Sequence, residues 1–276
     1  MARLKRKPAR RRSSRDGGWG AVPYVIGAFI AVGVLVAALY LKGQTEDQMA
    51  VDPETLCPIS TGPVAMTVIL FDLTDPLTPA QSKQLTQYLD LEIANTATGT
   101  EFTMGVVREE PADWGATEPL CKPRTGGDVS QLTQNVRLVT QRYQERFLTP
   151  VRDNIQRMIA AAAAKQSPIM EALQTLIADT PNFLTYGGPR KVIVVSDLLQ
   201  HSEAMSFYRG DDWQSFANSA GYSRLGKTLN GADVTIFAVP REVAKIKDPA
   251  VIEDFWLRYF DVQGSQLPTF KNLGDL

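Results

Sequence analysis

Four short apolar runs, each about the length of one strand, restrict what this chain can fold into. They are Val64 to Phe71, Phe102 to Val107, Lys191 to Ser196 with Asp197 at its end, and Val234 to Val239. Runs without polar alternation suit strands covered on both faces. Helical patterns separate them. Thr78-Pro79-Ala80-Gln81 predicts a helix start, with Thr78 as N-cap, Pro79 at the first position and Gln81 completing a capping box. Leu85, Leu89 and Ile93 supply that helix's apolar stripe. Val136 to Lys165 reads as helix with a kink or break at Pro150, and the Ala160–Ala164 run favours helix. Ser167-Pro168 ends that stretch and opens another helix through Met170, Leu173, Leu176 and Ile177. A helical region at 211–229 and an amphipathic helix from Ala250 to Phe260 follow. Strands alternating with helices predict an α/β fold: a doubly wound, mostly parallel sheet with helices on both faces, spanning 64–264. The composition of the 276 residues, 44% hydrophobic and 21% charged, leaves room for one such domain. Residues 265–276 are expected to form a loose tail.

The domain is preceded by a different kind of sequence. Residues 1–15 hold eight basic side chains and no acid, whereas the rest of the chain holds 21 basic against 30 acidic residues, a net of −9. No charge then appears from Gly17 to Leu41, and Val22 to Leu41 is a 20-residue apolar heart. As a helix it rises about 30 Å, the hydrocarbon thickness of a bilayer. Trp19 and Tyr24 at one end and Tyr40 at the other sit where interfacial aromatics sit. The expected order is a basic cytoplasmic arm over 1–18, a transmembrane helix over 19–42, a polar linker over 43–63, and the domain. After Lys42 no Lys or Arg occurs until Lys83, so the positive-inside rule puts the domain outside the cytoplasm. That location is periplasmic if the source is a Gram-negative bacterium. The competing reading is a cleaved signal peptide, for which the apolar and basic regions are both too long. The lipid bilayer is therefore the expected partner of 19–42. The basic arm is read as setting topology and touching anionic lipid, with no nucleic-acid partner expected.

Cys57 and Cys121 are the only cysteines. In an oxidising compartment they would form a disulfide tying the linker to the long polar excursion at 109–134. In a reducing one they would be free thiols. Two cysteines without histidine partners make a poor zinc site.

The stretch Asp72-Leu73-Thr74-Asp75-Pro76-Leu77-Thr78 follows the first strand, which places a carboxylate and hydroxyls at the carboxyl edge, where open α/β sheets bind ligands. Ser167 opens a helix and Asp197 ends a central strand. This order of residues resembles the von Willebrand factor A domain and its metal-ion-dependent adhesion site, which reads Asp-x-Ser-x-Ser, a distant Thr and a distant Asp. Asp72 and Thr74 match the first two positions by type, Ser167 stands for the distant Thr, and Asp197 for the last Asp. Pro76 departs from the pattern, because it has no side-chain oxygen where a hydroxyl belongs; Asp75 or Thr78 are the candidates to compensate. The resemblance covers most of 64–260. It implies a metal set of Asp72, Thr74, Ser167 and Asp197, Mg²⁺ or Mn²⁺ as cofactor, and an acidic partner group that completes the coordination. Without metal, Asp72 anchors a turn and Ser196-Asp197 orders the following loop.

Three functions follow. The first is a non-enzymatic, membrane-anchored interaction module with an unidentified protein partner, serving envelope assembly or attachment. The second is a phosphotransferase resembling the haloacid dehalogenases, with Asp72 as nucleophile, Asp197 as magnesium ligand and Lys191 as the phosphate-binding candidate, set at the wrong end of its strand. The third is a metal-free scaffold. His201, the one histidine, is read as a surface or loop residue. Trp114 is read either as an exposed contact or as packing for the excursion, and the 250–260 helix as core rather than a partner groove.

Overall fold

Consecutive residues of the first strand face opposite layers, as the two-residue period of a strand requires. Met66, Val68 and Leu70 enter one core, while Ile69 and Phe71 enter the other. The computed structural model describes residues 22–48, 50–73, 75–108, 114, 116–129, 135–160, 166–241, 248 and 250–274. The chain divides after Met49 into two units.

The first unit contains α1, Val22–Gln48, a 27-residue helix that carries apolar residues all round. Its described side chains, Tyr24 and residues 26–40, are all exposed. Among the described residues, no helix is long and apolar enough to cross a membrane.

The second unit is built on β1 (Ala65–Phe71), α2 (Pro79–Asn95), β2 (Thr100–Val106) and β3 (Leu120–Cys121). α3 (Val136–Tyr143), a π turn, α4 (Thr149–Ile159), α5 (Ile169–Asp179) and β4 (Arg190–Ser196) follow. α6 (Trp213–Ala217), α7 (Ala220–Leu225), β5 (Asp233–Ala238), α8 (Ala250–Val262) and β6 (Thr269–Asn272) complete it. One sheet runs β3-β2-β1-β4-β5-β6. Only the β2–β3 pair is antiparallel. α2 and α4 cover one face through Leu85, Leu89, Ile93, Val151 and Ile155. α5 and α8 cover the other through Ile169, Leu173, Leu176, Phe255, Trp256 and Tyr259. At Gly105 a Cβ would stand 3.0 Å from Leu176 Cδ1, so glycine lets α5 lie close on β2.

The expected α/β sheet with helices on both faces is therefore present. β1 pairs with β2 on one side and β4 on the other. The strand order turns back between β1 and β4, and in open α/β sheets ligands bind beyond the carboxyl ends of the strands at such a switch.

Several local expectations change. The helix from Val136 does not break at Pro150. It passes through a π turn at Gln144–Leu148, and the proline falls in the first turn of α4, where its missing N–H costs little. The helical region at 211–229 is two short helices, each capped by its own residue, Asp212 or Ser219. The expected loose tail supplies β6, parallel to β5, and Leu273 is fully buried. As an edge strand of Thr, Phe, Lys and Asn, it lacks the apolar run that marks a central strand. Of the segment expected as linker, α1 takes residues up to Gln48. Leu56 is 3% exposed and joins the core, and a bridge pairs Val51 with Pro58. The Cys57–Cys121 disulfide forms, with its Cα atoms 4.8 Å apart. Cys121 N donates to Thr55 O at 2.7 Å, which fastens the same segment to β3.

Candidate functional site at the carboxyl edge of β1 and β4

Asp72 follows β1 directly, and its amide donates to the Val195 carbonyl at 2.8 Å, extending the β1–β4 ladder. Asp72 is buried, at 2% exposure. Its Oδ2 accepts two hydroxyls, from Ser167 Oγ at 2.9 Å and from Ser196 Oγ at 2.7 Å. Ser196 Oγ in turn accepts the Leu198 amide at 2.7 Å. A buried carboxylate needs such donors, and charged hydrogen bonds are the stronger kind.

Ser167 is not placed by capping its own helix, since Pro168 is the N-cap of α5 and no side chain caps there. Ser167 and His201 instead exchange two backbone hydrogen bonds, of 3.1 and 2.8 Å. The fully buried Gln200 accepts the Met170 amide at 3.0 Å through Oε1, serving an orphan N–H of the first turn of α5. The loop after β4 thus fixes both Ser167 and the start of α5.

Asp197 begins that loop. Its Oδ1 accepts the Leu199 amide at 2.9 Å in an Asx-type turn. Leu198 then takes a φ of 65°, in the left-handed region that is costly for a γ-branched residue. The Leu198 carbonyl accepts Trp256 Nε1 at 2.9 Å, so a buried tryptophan of α8 holds this conformation.

The electrostatics tie Asp197 to Asp72. Burial, then the Asp72 charge, then Asp75 push the Asp197 carboxyl up to about 7, against the Leu199 N–H and the Arg241 guanidinium, which pull it down. Tyr208 is also raised, by burial first and then by Asp197, Asp75 and Asp72. Asp75, exposed on its turn, and Tyr208 therefore lie within electrostatic reach of Asp197. Arg241 enters from beyond β5, where its Nη2 donates to the carbonyls of Asp75 at 3.2 Å and Pro76 at 2.7 Å.

Of the four expected metal ligands, the structure joins Asp72 to Ser167 and places Asp197 within their electrostatic reach. Thr74 lies outside the described residues. Thr78 is engaged in the capping box of α2 with Gln81. The donor set is oxygen throughout, and the buried Asp72 repels the charge of the half-buried Asp197. A hard divalent cation relieves that repulsion, so these residues fit Mg²⁺ or Mn²⁺, with no side-chain oxygen from Pro76.

Ser196, Gln200, Tyr208 and Arg241 belong to the site although their sequence signals were weak. The best signal is Ser196, a serine beside an aspartate at the end of an apolar strand. His201 borders the site and its Nδ1 lies 2.7 Å from Ser206 Oγ. Ser206 is fully buried, so this pair does not present a nucleophile to solvent. Trp114 is 6% exposed and donates to Arg108 O at 2.6 Å, so it packs the excursion. The apolar residues Phe255, Trp256, Tyr259 and Phe260 of α8 are core. Lys191 lies at the amino end of β4 and pairs with Glu92 at 2.6 Å, the full strand away from Asp197. Cys57, Glu101 and Cys121 also bring potential ligand atoms within 4.8 Å of one another, but both sulfurs are committed to the disulfide.

No established family profile matches the chain. No curated protein matches it either. Among solved structures it is similar to an aerotolerance-related membrane protein from Bacteroides fragilis, at 11% identity, 76% of this chain, 92% of that one and a TM-score of 0.37. It is also similar to the ArnB paralog VWA2 from Sulfolobus acidocaldarius, at 10% identity, 78% and 44% coverage and a TM-score of 0.37. A third is a von Willebrand factor type A protein from Catenulispora acidiphila, at 17% identity, 74% and 44% coverage and a TM-score of 0.34. This chain spans less than half of the last two. Similarity at these scores does not assign a family.

Proposed function

We propose that this chain is a non-enzymatic protein-interaction module of the von Willebrand factor A type. Its Asp72–Ser167–Asp197 edge holds a divalent cation and engages an acidic group of a partner protein. The observation that carries this reading is the convergence of Ser167 and Ser196 on one oxygen of the buried Asp72, next to Asp197 at the switch between β1 and β4. When bound, the cation supplies a Lewis-acidic position for a partner carboxylate. The chain's own residues orient the oxygens and exclude bulk water. Asp72, Ser167 and Asp197 would hold the ion; Thr74 is assigned with them by residue type alone.

The proposed setting is an envelope membrane. The uncharged Val22–Leu41 run would span the bilayer, the basic arm would stay in the cytoplasm, and the domain would lie outside it, where the Cys57–Cys121 disulfide is at home. Envelope assembly or attachment is the proposed role. The test is capture of membrane partners by the tagged full chain, in Mg²⁺ and in chelator, with Asp72→Ala alongside and circular dichroism as the fold check. Capture that needs both Mg²⁺ and Asp72 supports the module. Equal capture by a folded Asp72→Ala chain would reduce it to a metal-free scaffold.

A further inference from the structure

Arg241 is anchored on the loop that follows Asp72, within electrostatic reach of Asp197, and gives its hydrogen bonds to that loop's main chain. Its Nη2 donates to two successive carbonyls, those of Asp75 and Pro76, 166 and 165 residues earlier in the chain. Its Nε is buried and has no hydrogen-bond partner among the described residues. These carbonyls belong to the very turn in which Pro76 offers no side-chain oxygen, so the main-chain oxygens there are committed to a guanidinium. The same guanidinium acts by Coulomb attraction on Asp197. Arginine keeps its charge at any working pH and cannot be neutralised to make way for a metal.

We propose that Arg241 sets how tightly this edge takes a divalent cation, acting as a tethered positive charge that opposes the ion. The inference rests on the cation reading of the site given above. Two effects of Arg241 run in opposite directions. Its hydrogen bonds steady the Asp75–Pro76 turn, which favours an ordered site. Its charge repels an incoming dication. The bonds are short-ranged and go to exposed carbonyls, whereas the repulsion between one and two charges extends over several ångströms even where solvent screens it. The charge effect wins, and the site binds its cation weakly enough to exchange it. Arg241 is thus a tuning residue for the site, and Asp72, Ser167 and Asp197 are the ligand set.

The test is Mn²⁺ binding to the full chain in detergent, read by electron paramagnetic resonance, for the unaltered chain, Arg241→Met, Arg241→Gln, Arg241→Lys and Asp197→Asn. Arg241→Gln keeps an amide donor and loses the charge, and Arg241→Lys keeps the charge. Both neutral variants are expected to bind Mn²⁺ roughly tenfold tighter than the unaltered chain. Arg241→Lys is expected to stay within about twofold of it. The gap should narrow as salt rises to about 0.5 M, because screening acts on charge and not on turn geometry. If Arg241→Met does not fold, Arg241→Gln carries the comparison. Mn²⁺ binding that depends on Asp197 but is unchanged or weaker in the neutral variants overturns the role of Arg241 and leaves the cation site standing. No Asp197-dependent binding in any chain overturns the cation site, and this inference with it.

Discussion

Ser167 Oγ donates a 2.9 Å hydrogen bond to Asp72 Oδ2 across 95 residues of sequence. Ser196 Oγ reaches the same oxygen from 124 residues away. The two hydroxyls compensate a carboxylate that the sheet edge buries. Removing one by Ser167→Ala should therefore destabilise the domain by about 1.5–3 kcal/mol, the range for hydrogen bonds to charged groups. Because both serines serve one oxygen, Ser167→Ala and Ser196→Ala should not add. Urea unfolding of the single and double variants measures the coupling.

The Asp197 carboxyl is raised to about 7 from 3.8, chiefly by burial and then by Asp72. A carboxyl raised on folding binds its proton more tightly in the folded state. Its contribution therefore favours folding below that range and is lost as pH climbs from about 4 to about 7. Relative to Asp197→Asn, the cation-free chain should gain stability when pH falls from 7.5 to 5. Saturating Mg²⁺ should flatten the difference. Thermal melts across that pH range, with and without the ion, provide the check.

The Cys57–Cys121 disulfide closes a separation of 64 residues. In the chain-entropy account a loop of that length is worth about 4 kcal/mol. Replacing both cysteines by alanine should lower stability by an amount of this order. It should also loosen the segment around Leu56 before the sheet opens, which hydrogen exchange of the 50–63 amides would detect.

Lys122 is 5% exposed, and its ammonium donates to the carbonyls of Ile93, Ala94 and Thr96 at 3.1, 2.7 and 2.7 Å. It closes the carboxyl end of α2, where a cation also suits the helix dipole. Lys122→Met keeps much of the volume and removes the donors. A loss of about 2–3 kcal/mol is expected from the carbonyls left without it, read by denaturant unfolding.

The central strands were legible because β1 and β4 are apolar on both faces. The start of α2 was legible because Thr78, Pro79 and Gln81 carry a complete capping signal. β6 was not, since an edge strand needs apolar side chains on few positions. Asp72 and Asp197 could be picked out as acids that end buried strands. Ser167 could be picked out only through the family resemblance, because what positions it is a bridge to His201 rather than a local motif. Gln200 and Arg241 were illegible for the same reason: a glutamine that serves a helix start 30 residues away, and an arginine that clamps a turn 165 residues away, leave no pattern of spacing.

The most direct measurement is a calorimetric titration of the full chain in detergent with Mg²⁺ and Mn²⁺, with Asp72→Ala as control and melting temperature followed in parallel. The expected result is saturable binding of one ion, with a rise in melting temperature, and loss of both in a folded Asp72→Ala chain. Absence of binding by the unaltered chain, or binding that persists unchanged in Asp72→Ala, would contradict the proposed site.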